Sequence, residues 1–154
     1  MLQITVPKTE IFNENTNQFL WIPETTIQME HSLVSLSKWE EKHHKAYLDP
    51  KLQHSATEIL DYFKCMTITK NVKDSVFLAL SQRNIEEISS YINDPMTATT
   101  FNEMATTKKH NSKFITSEYL YFCMFSLGVP IECEKWHLNR LMTLLKIFEE
   151  ENKP

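Results

Sequence analysis

Hydrophobic and polar positions alternate at the start of the chain. Leu2, Ile4 and Val6 are separated by Gln3 and Thr5, the period of a half-buried strand. Pro7 interrupts the run. Ile11-Phe12 and Phe19-Leu20-Trp21-Ile22 then flank the polar stretch Asn13-Glu14-Asn15-Thr16-Asn17. Asparagine tolerates the left-handed conformation and bonds its own backbone, so this stretch is a turn and the pair predicts a hairpin with a longer loop. After Pro23, Ile27, Met29 and His31 resume the alternation. Residues 1–34 are expected to form a β arm of three or four short strands. A lone hairpin is marginal in water, so the arm should pack on helices or on a partner.

From about residue 35 the period becomes helical. Ser37-Lys38-Trp39-Glu40 has the form of a capping box and predicts a helix to about Tyr47, ended by Asp49-Pro50. Ser55-Ala56-Thr57-Glu58 is a second box, with Ile59, Tyr62, Phe63 and Met66 on one face behind it. Asp74 is expected to cap a short helix carrying Val76, Phe77 and Leu80. Asn84 through Glu87 repeats the capping pattern ahead of Ile85, Ile88 and Ile92, and Asp94-Pro95 ends that helix. Met96 to Phe101 and Lys113-Phe114-Ile115 suit two short strands able to pair across a loop. Thr116 should cap a strongly apolar helix, Ser117 to Leu127, closed by Gly128 and Pro130. The last helix is expected from about Glu132 to Glu149, with Leu138, Leu141, Leu145 and Phe148 as its stripe and a polar end that frays. The predicted fold is α+β and predominantly α-helical: a β-ribbon or small antiparallel sheet packed on a bundle of about five helices. Residues 1–34 are the arm and 35–154 the helical domain of one structural unit.

Composition removes several classes of function. With 154 residues, 42% hydrophobic and 23% charged, the chain suits one domain with an ordinary core. A single glycine excludes glycine-rich phosphate loops and dinucleotide fingerprints, which need several in a short window. A net charge of −4, with only Lys108-Lys109-His110 and Lys113 clustered, argues against nucleic acid. No stretch approaches the ~20 apolar residues of a membrane span, and the start lacks the apolar run of a signal peptide. Cys65, Cys123 and Cys133 are odd in number and lack C-x-x-C spacing, which points to reduced, buried thiols in a cytoplasm.

Six features could carry chemistry or recognition. Glu40 and His44, beside His43, share a helical face, but one carboxylate and one imidazole make half a metal site; the alternative is a solvated face. Cys133 and His137 are also four apart, fit for a metal or a nucleophile and base, or else a buried thiol and a capping histidine. Trp21, Trp39 and Trp136 read as core anchors or partner contacts. Asp49, Asp61, Asp74 and Asp94 are scattered where caps and helix dipoles place them. Arg140 suits a carboxylate inside the domain or on a partner. The arm has the strongest case for recognition, because an exposed strand edge invites strand addition. The alternative is that it folds over the helices.

Four segments carry a resemblance. They are Met29-Glu30-His31-Ser32-Leu33-Val34-Ser35-Leu36-Ser37-Lys38-Trp39-Glu40, Asp61-Tyr62-Phe63-Lys64-Cys65-Met66-Thr67-Ile68-Thr69, Asp94-Pro95-Met96-Thr97-Ala98-Thr99-Thr100-Phe101, and Val129-Pro130-Ile131-Glu132-Cys133-Glu134-Lys135-Trp136-His137-Leu138-Asn139-Arg140-Leu141. In sequence, order and spacing they resemble small proteins of tailed bacteriophages, encoded among the tail genes and described as tail assembly chaperones. Asn102 to Lys113 are more polar than the resemblance leads one to expect, as a variable loop or a partner site is.

The resemblance implies a non-enzymatic protein of the host cytoplasm. It would bind the coiled-coil-rich tape-measure protein, or another tail protein, during virion morphogenesis and be absent from the finished virion. It carries over no catalytic, cofactor or metal residues. A tape measure exposes apolar helical stripes that aggregate unless covered, and a helical domain with a groove covers such stripes. Met66, Met96, Met104, Met124 and Met142 are adaptable enough for that surface or for a core. The candidate partner-binding residues are Trp21, Trp39, Met96, Phe101, Trp136 and Arg140. Phage tail proteins are the expected partners, with neither nucleic acid nor membrane among them and self-association left open. A minor tail or connector protein retained in the virion, and a small thiol or metal enzyme using Cys133 and His137, are the rival readings.

Overall fold

Two strand pairs near the start of the chain share one register. In the computed structural model, which describes residues 1–101 and 115–154, β1 (Leu2–Val6) pairs antiparallel with β4 (Thr25–Met29). β2 (Thr9–Asn13) pairs with β3 (Gln18–Ile22). The pairing keeps step from Leu2↔Met29 through Val6↔Thr25 and Thr9↔Ile22 to Asn13↔Gln18. The two sheets therefore trace one ribbon, broken where Pro7 and Pro23 remove an N–H from each strand. Asn17 turns the hairpin with φ 54°, and the Asn15 N–H donates to Asn13 Oδ1 at 3.0 Å.

Backbone contacts divide the chain into two compact units, Met1–His31 with His54–Asp94, and Ser32–Gln53 with Pro95–Pro154. In the first, Ile4, Val6, Ile27 and Met29 turn inward from the ribbon. Helix α2 (Ala56–Met66) begins at the expected box, the Ser55 N–H on Glu58 Oε2 at 2.9 Å and the Glu58 N–H on Ser55 Oγ at 3.2 Å. Its buried stripe is Tyr62, Phe63 and Met66. Ile59, expected on that stripe, is exposed, and Asp61 is buried. Past α2 the chain adds to β4, the Ile68 N–H reaching Gln28 O at 2.8 Å. The short helix α3 (Asp74–Leu78) buries Val76 and Phe77, with Leu80 half-buried beyond its end. Asp74 is not its cap. Lys73 holds the cap position, and Asp74 lies in the first turn, 3.7 Å from Lys64 Nζ. Helix α4 (Gln82–Asn93) starts earlier than expected because Ser81 is the cap, in a reciprocal box with Asn84. Asn84 is drawn in further by its bond to Thr5 O at 3.1 Å.

The second unit opens with α1 (Leu33–His43). This helix also starts early. Ser32 and Ser35 form the box, not Ser37 and Glu40, and the helix stops short of Tyr47 at His44, which is left-handed with φ 53°. Helix α5 (Ser117–Leu127) matches expectation at both ends, capped by Thr116 and closed by Gly128 at φ 69°. The last helix is shorter than expected. A 3-10 turn, Ile131–Lys135, precedes α6 (Leu138–Glu151), because Trp136 is extended and His137 caps α6 by accepting the Asn139 N–H on Nδ1 at 3.2 Å. Leu138, Leu141 and Leu145 pack with Leu33, Leu36, Leu120 and Met124. Residues 96–101 form no strand. Met96 is left-handed at φ 52°, and the Thr99 N–H bonds to Thr97 Oγ1, turning the segment locally. Its expected partner residues Lys113 and Phe114, along with Met104 and the Lys108-Lys109-His110 cluster, lie outside the described residues. Six α-helices and two small antiparallel sheets among the described residues make the fold α+β and predominantly helical. No described helix is long and apolar enough to cross a membrane.

Three tyrosines are held neutral by this packing. Burial raises Tyr47 from 10.0 to about 12. Burial, then a hydrogen bond to a carboxylate, raises Tyr91 (on Glu30) and Tyr121 (on Glu134). A folded-state value above the unfolded one means that the stabilising difference is fully present below pH 10.0 and is lost as pH rises through the folded value. Tyrosinate absorbance is expected to appear late for these three residues, and the melting temperature to fall in that alkaline range. A simple titration of all five tyrosines at the ordinary value would contradict it.

Candidate protein-binding surfaces

The polar groups singled out by spacing turn out to be tied into the fold. Glu40 is buried in the second unit, where Oε1 accepts the Tyr47 N–H at 3.1 Å and Oε2 the Ser117 N–H at 2.7 Å. Both carboxylate oxygens are thus engaged. His43 stacks on Trp39 with ring centroids 4.4 Å apart, and His44 is the turn that ends α1. Cys133 lies in the core of the second unit and His137 caps α6. Asp61 and Asp74 each lie 3.7 Å from Lys64 Nζ, Asp49 Oδ1 accepts the Lys51 N–H, and Asp94 ends α4. Among the described residues no three His, Cys, Asp or Glu side chains are grouped to hold a metal ion. None of the three cysteines is in a disulfide; Cys133 is buried, and Cys65 and Cys123 are half-buried.

The six candidate partner residues have different fates. Trp39 is fully buried, which leaves it no surface to offer. Trp136 is half-buried beneath the Arg140 guanidinium, 4.3 Å from the ring centroid. Phe101 is half-buried, with Lys146 Nζ 3.8 Å from its centroid, and walls a groove between α5 and α6. Met96 is exposed on its left-handed turn. Trp21 stands out from the hairpin, 61% exposed.

Two apolar surfaces emerge. The first is the hairpin. Phe12 and Phe19 face each other across β2 and β3 in an edge-to-face pair at 5.1 Å, and Trp21, on the same face, lies opposite Glu10. Strands β2 and β3 pack mainly on each other. β3 carries no charge, so it lacks the lysines that usually blunt an edge. Since Phe19 and Trp21 give little to the fold, F19S/W21S is expected to change unfolding free energy by less than about 1 kcal/mol. A larger loss in a urea titration would show that the hairpin packs on the body.

The second surface is α5. Ser117, Leu120 and Met124 face the core, while Phe122 (63%) and Phe125 (64%) stand in solvent with Tyr119 beside them. A helix apolar all round is expected to be buried on both sides, yet this one is covered on one. The sequence pattern specifies the helix and its caps but not which face is left uncovered. The signal was the absence of any polar face between Glu118 and Ser126. Beside it, Tyr119, Cys123, Met142, Leu145 and Glu149 help wall the ≈ 390 Å³ groove.

No protein family, curated protein or solved structure matches the chain. The described residues define a small α+β protein with two exposed aromatic surfaces.

Proposed function

We propose that the chain is a tail assembly chaperone of a tailed bacteriophage. It binds the tape-measure protein, or another tail protein, transiently in the host cytoplasm during virion morphogenesis. The observation that carries the reading is the exposed aromatic face of α5. Exposed aromatic clusters of this kind mark protein-binding sites, and a helical face is suited to a helical client. The resemblance in four segments supports the choice of client. Three of those segments hold structural positions here: the Ser32 box, the exit of α2 onto β4, and the His137 cap.

The test is co-expression with the tape-measure protein. The reading expects that long protein to become soluble and co-purify, and expects the chain to be missing from purified virions by mass spectrometry. A tape measure equally insoluble with and without the chain would overturn it. The uncharged edge of β3 favours one alternative, a minor tail or connector protein whose hairpin adds to a neighbour's sheet. Stoichiometric recovery from virions would choose that alternative.

A further inference from the structure

We infer that the outer face of α5 docks an amphipathic helix whose apolar stripe is edged on both sides by lysine or arginine. The inference deepens the chaperone reading and rests on it for the identity of the client alone.

The charges around the aromatic stripe carry it. From Ser117 to Leu127 the helix has no basic residue, and Glu118 is its one charge. On one flank Tyr121, which stacks near Phe125 with centroids 6.2 Å apart, donates its hydroxyl to Glu134 at 2.7 Å. On the other flank Tyr119 leans toward Phe122, centroids 6.3 Å apart, and walls the groove that Glu149 rims. A carboxylate therefore stands on each side of the stripe, and a third at its head. The groove also holds Lys146, whose ammonium sits over the Phe101 ring.

This pattern selects among occupants. Glu118, Glu134 and Glu149 outnumber the one ammonium named here, that of Lys146, so a second copy docking the same face would meet more like than opposite charge, which disfavours it. An anionic membrane is repelled for the same reason. A helix with an apolar stripe and basic borders meets the aromatic residues with its stripe and the three carboxylates with its borders. The groove takes an apolar side chain projecting from that helix, an anchor beside the Phe122 contact.

The test uses the full chain and two labelled model helices. Both carry leucine at heptad a and d; one has lysine and the other glutamate at e and g. Fluorescence anisotropy is expected to show the lysine helix binding about tenfold more tightly, with the difference shrinking as salt rises. F122S/F125S should abolish binding of both helices, with an unchanged circular dichroism spectrum because both side chains are exposed. E118K/E149K should reverse the preference. Equal binding of the two helices, or binding indifferent to Phe122 and Phe125, overturns the inference. Its failure is separable from failure of the chaperone reading. If the tape measure co-purifies as well with F122S/F125S as with the wild type, the face is wrong and the chaperone reading stands. If the lysine helix binds as described but no tail protein is retained, the face is right and the chaperone reading falls.

Discussion

Replacing Glu40 by alanine is expected to destabilise the second unit by about 3 kcal/mol. The carboxylate is buried and accepts two backbone N–H groups, from Tyr47 and from Ser117. Ser117 is the first residue of α5, where an N–H has no partner within the helix. The negative charge also sits against the positive end of the α5 dipole. Removing it takes the acceptor from a buried donor, the Ser117 N–H, and from a half-buried one, the Tyr47 N–H, and a buried orphan costs roughly 1–3 kcal/mol. Glu40→Gln keeps one carbonyl acceptor, so about half the loss is expected. Urea unfolding measures the total, and amide exchange at Tyr47 and Ser117 locates it. Unchanged exchange at both amides would show that the carboxylate does not hold them.

Trp39→Ala should be at least as damaging, about 4 kcal/mol. The ring is fully buried, stacked on His43 and edge-on to Tyr47 at 4.9 Å. No smaller side chain refills that space without repacking α1. The three tryptophans should therefore behave differently in iodide quenching. Emission from Trp21 is accessible, that from Trp136 is partly shielded, and that from Trp39 is protected. A stability loss under about 1 kcal/mol for Trp39→Ala, or ready quenching of its emission, would contradict the buried placement.

Much of this fold is legible in the sequence because local rules and packing agree there. The alternation of Leu2, Ile4 and Val6, the asparagine turn and the two prolines specify the ribbon. Ser55 with Glu58, and Thr116 with Gly128, set the ends of α2 and α5. Local rules do not decide where several capping residues compete. Ser32, Ser35 and Ser37 all suit the start of α1, and the choice falls to Ser32 because Ser35 returns its bond. That releases Glu40, which a local pattern assigned to its own helix, to bind a residue 77 positions away. The same limit applies at Asn84, whose bond to Thr5 spans 79 positions. The apolar face of α5 was hidden for a different reason. Periodicity shows that a helix is apolar, but the number of neighbours covering it is a tertiary fact. Trp39 and Trp21 look alike in sequence, and only packing separates core from surface.

The most direct test is retention of the tape-measure protein by the wild-type chain and by F122S/F125S, measured as the soluble fraction of that client on co-expression. The account predicts a soluble complex with the wild-type chain and an aggregated client with the variant, both chains being equally folded. A client that stays insoluble beside the wild-type chain would contradict it.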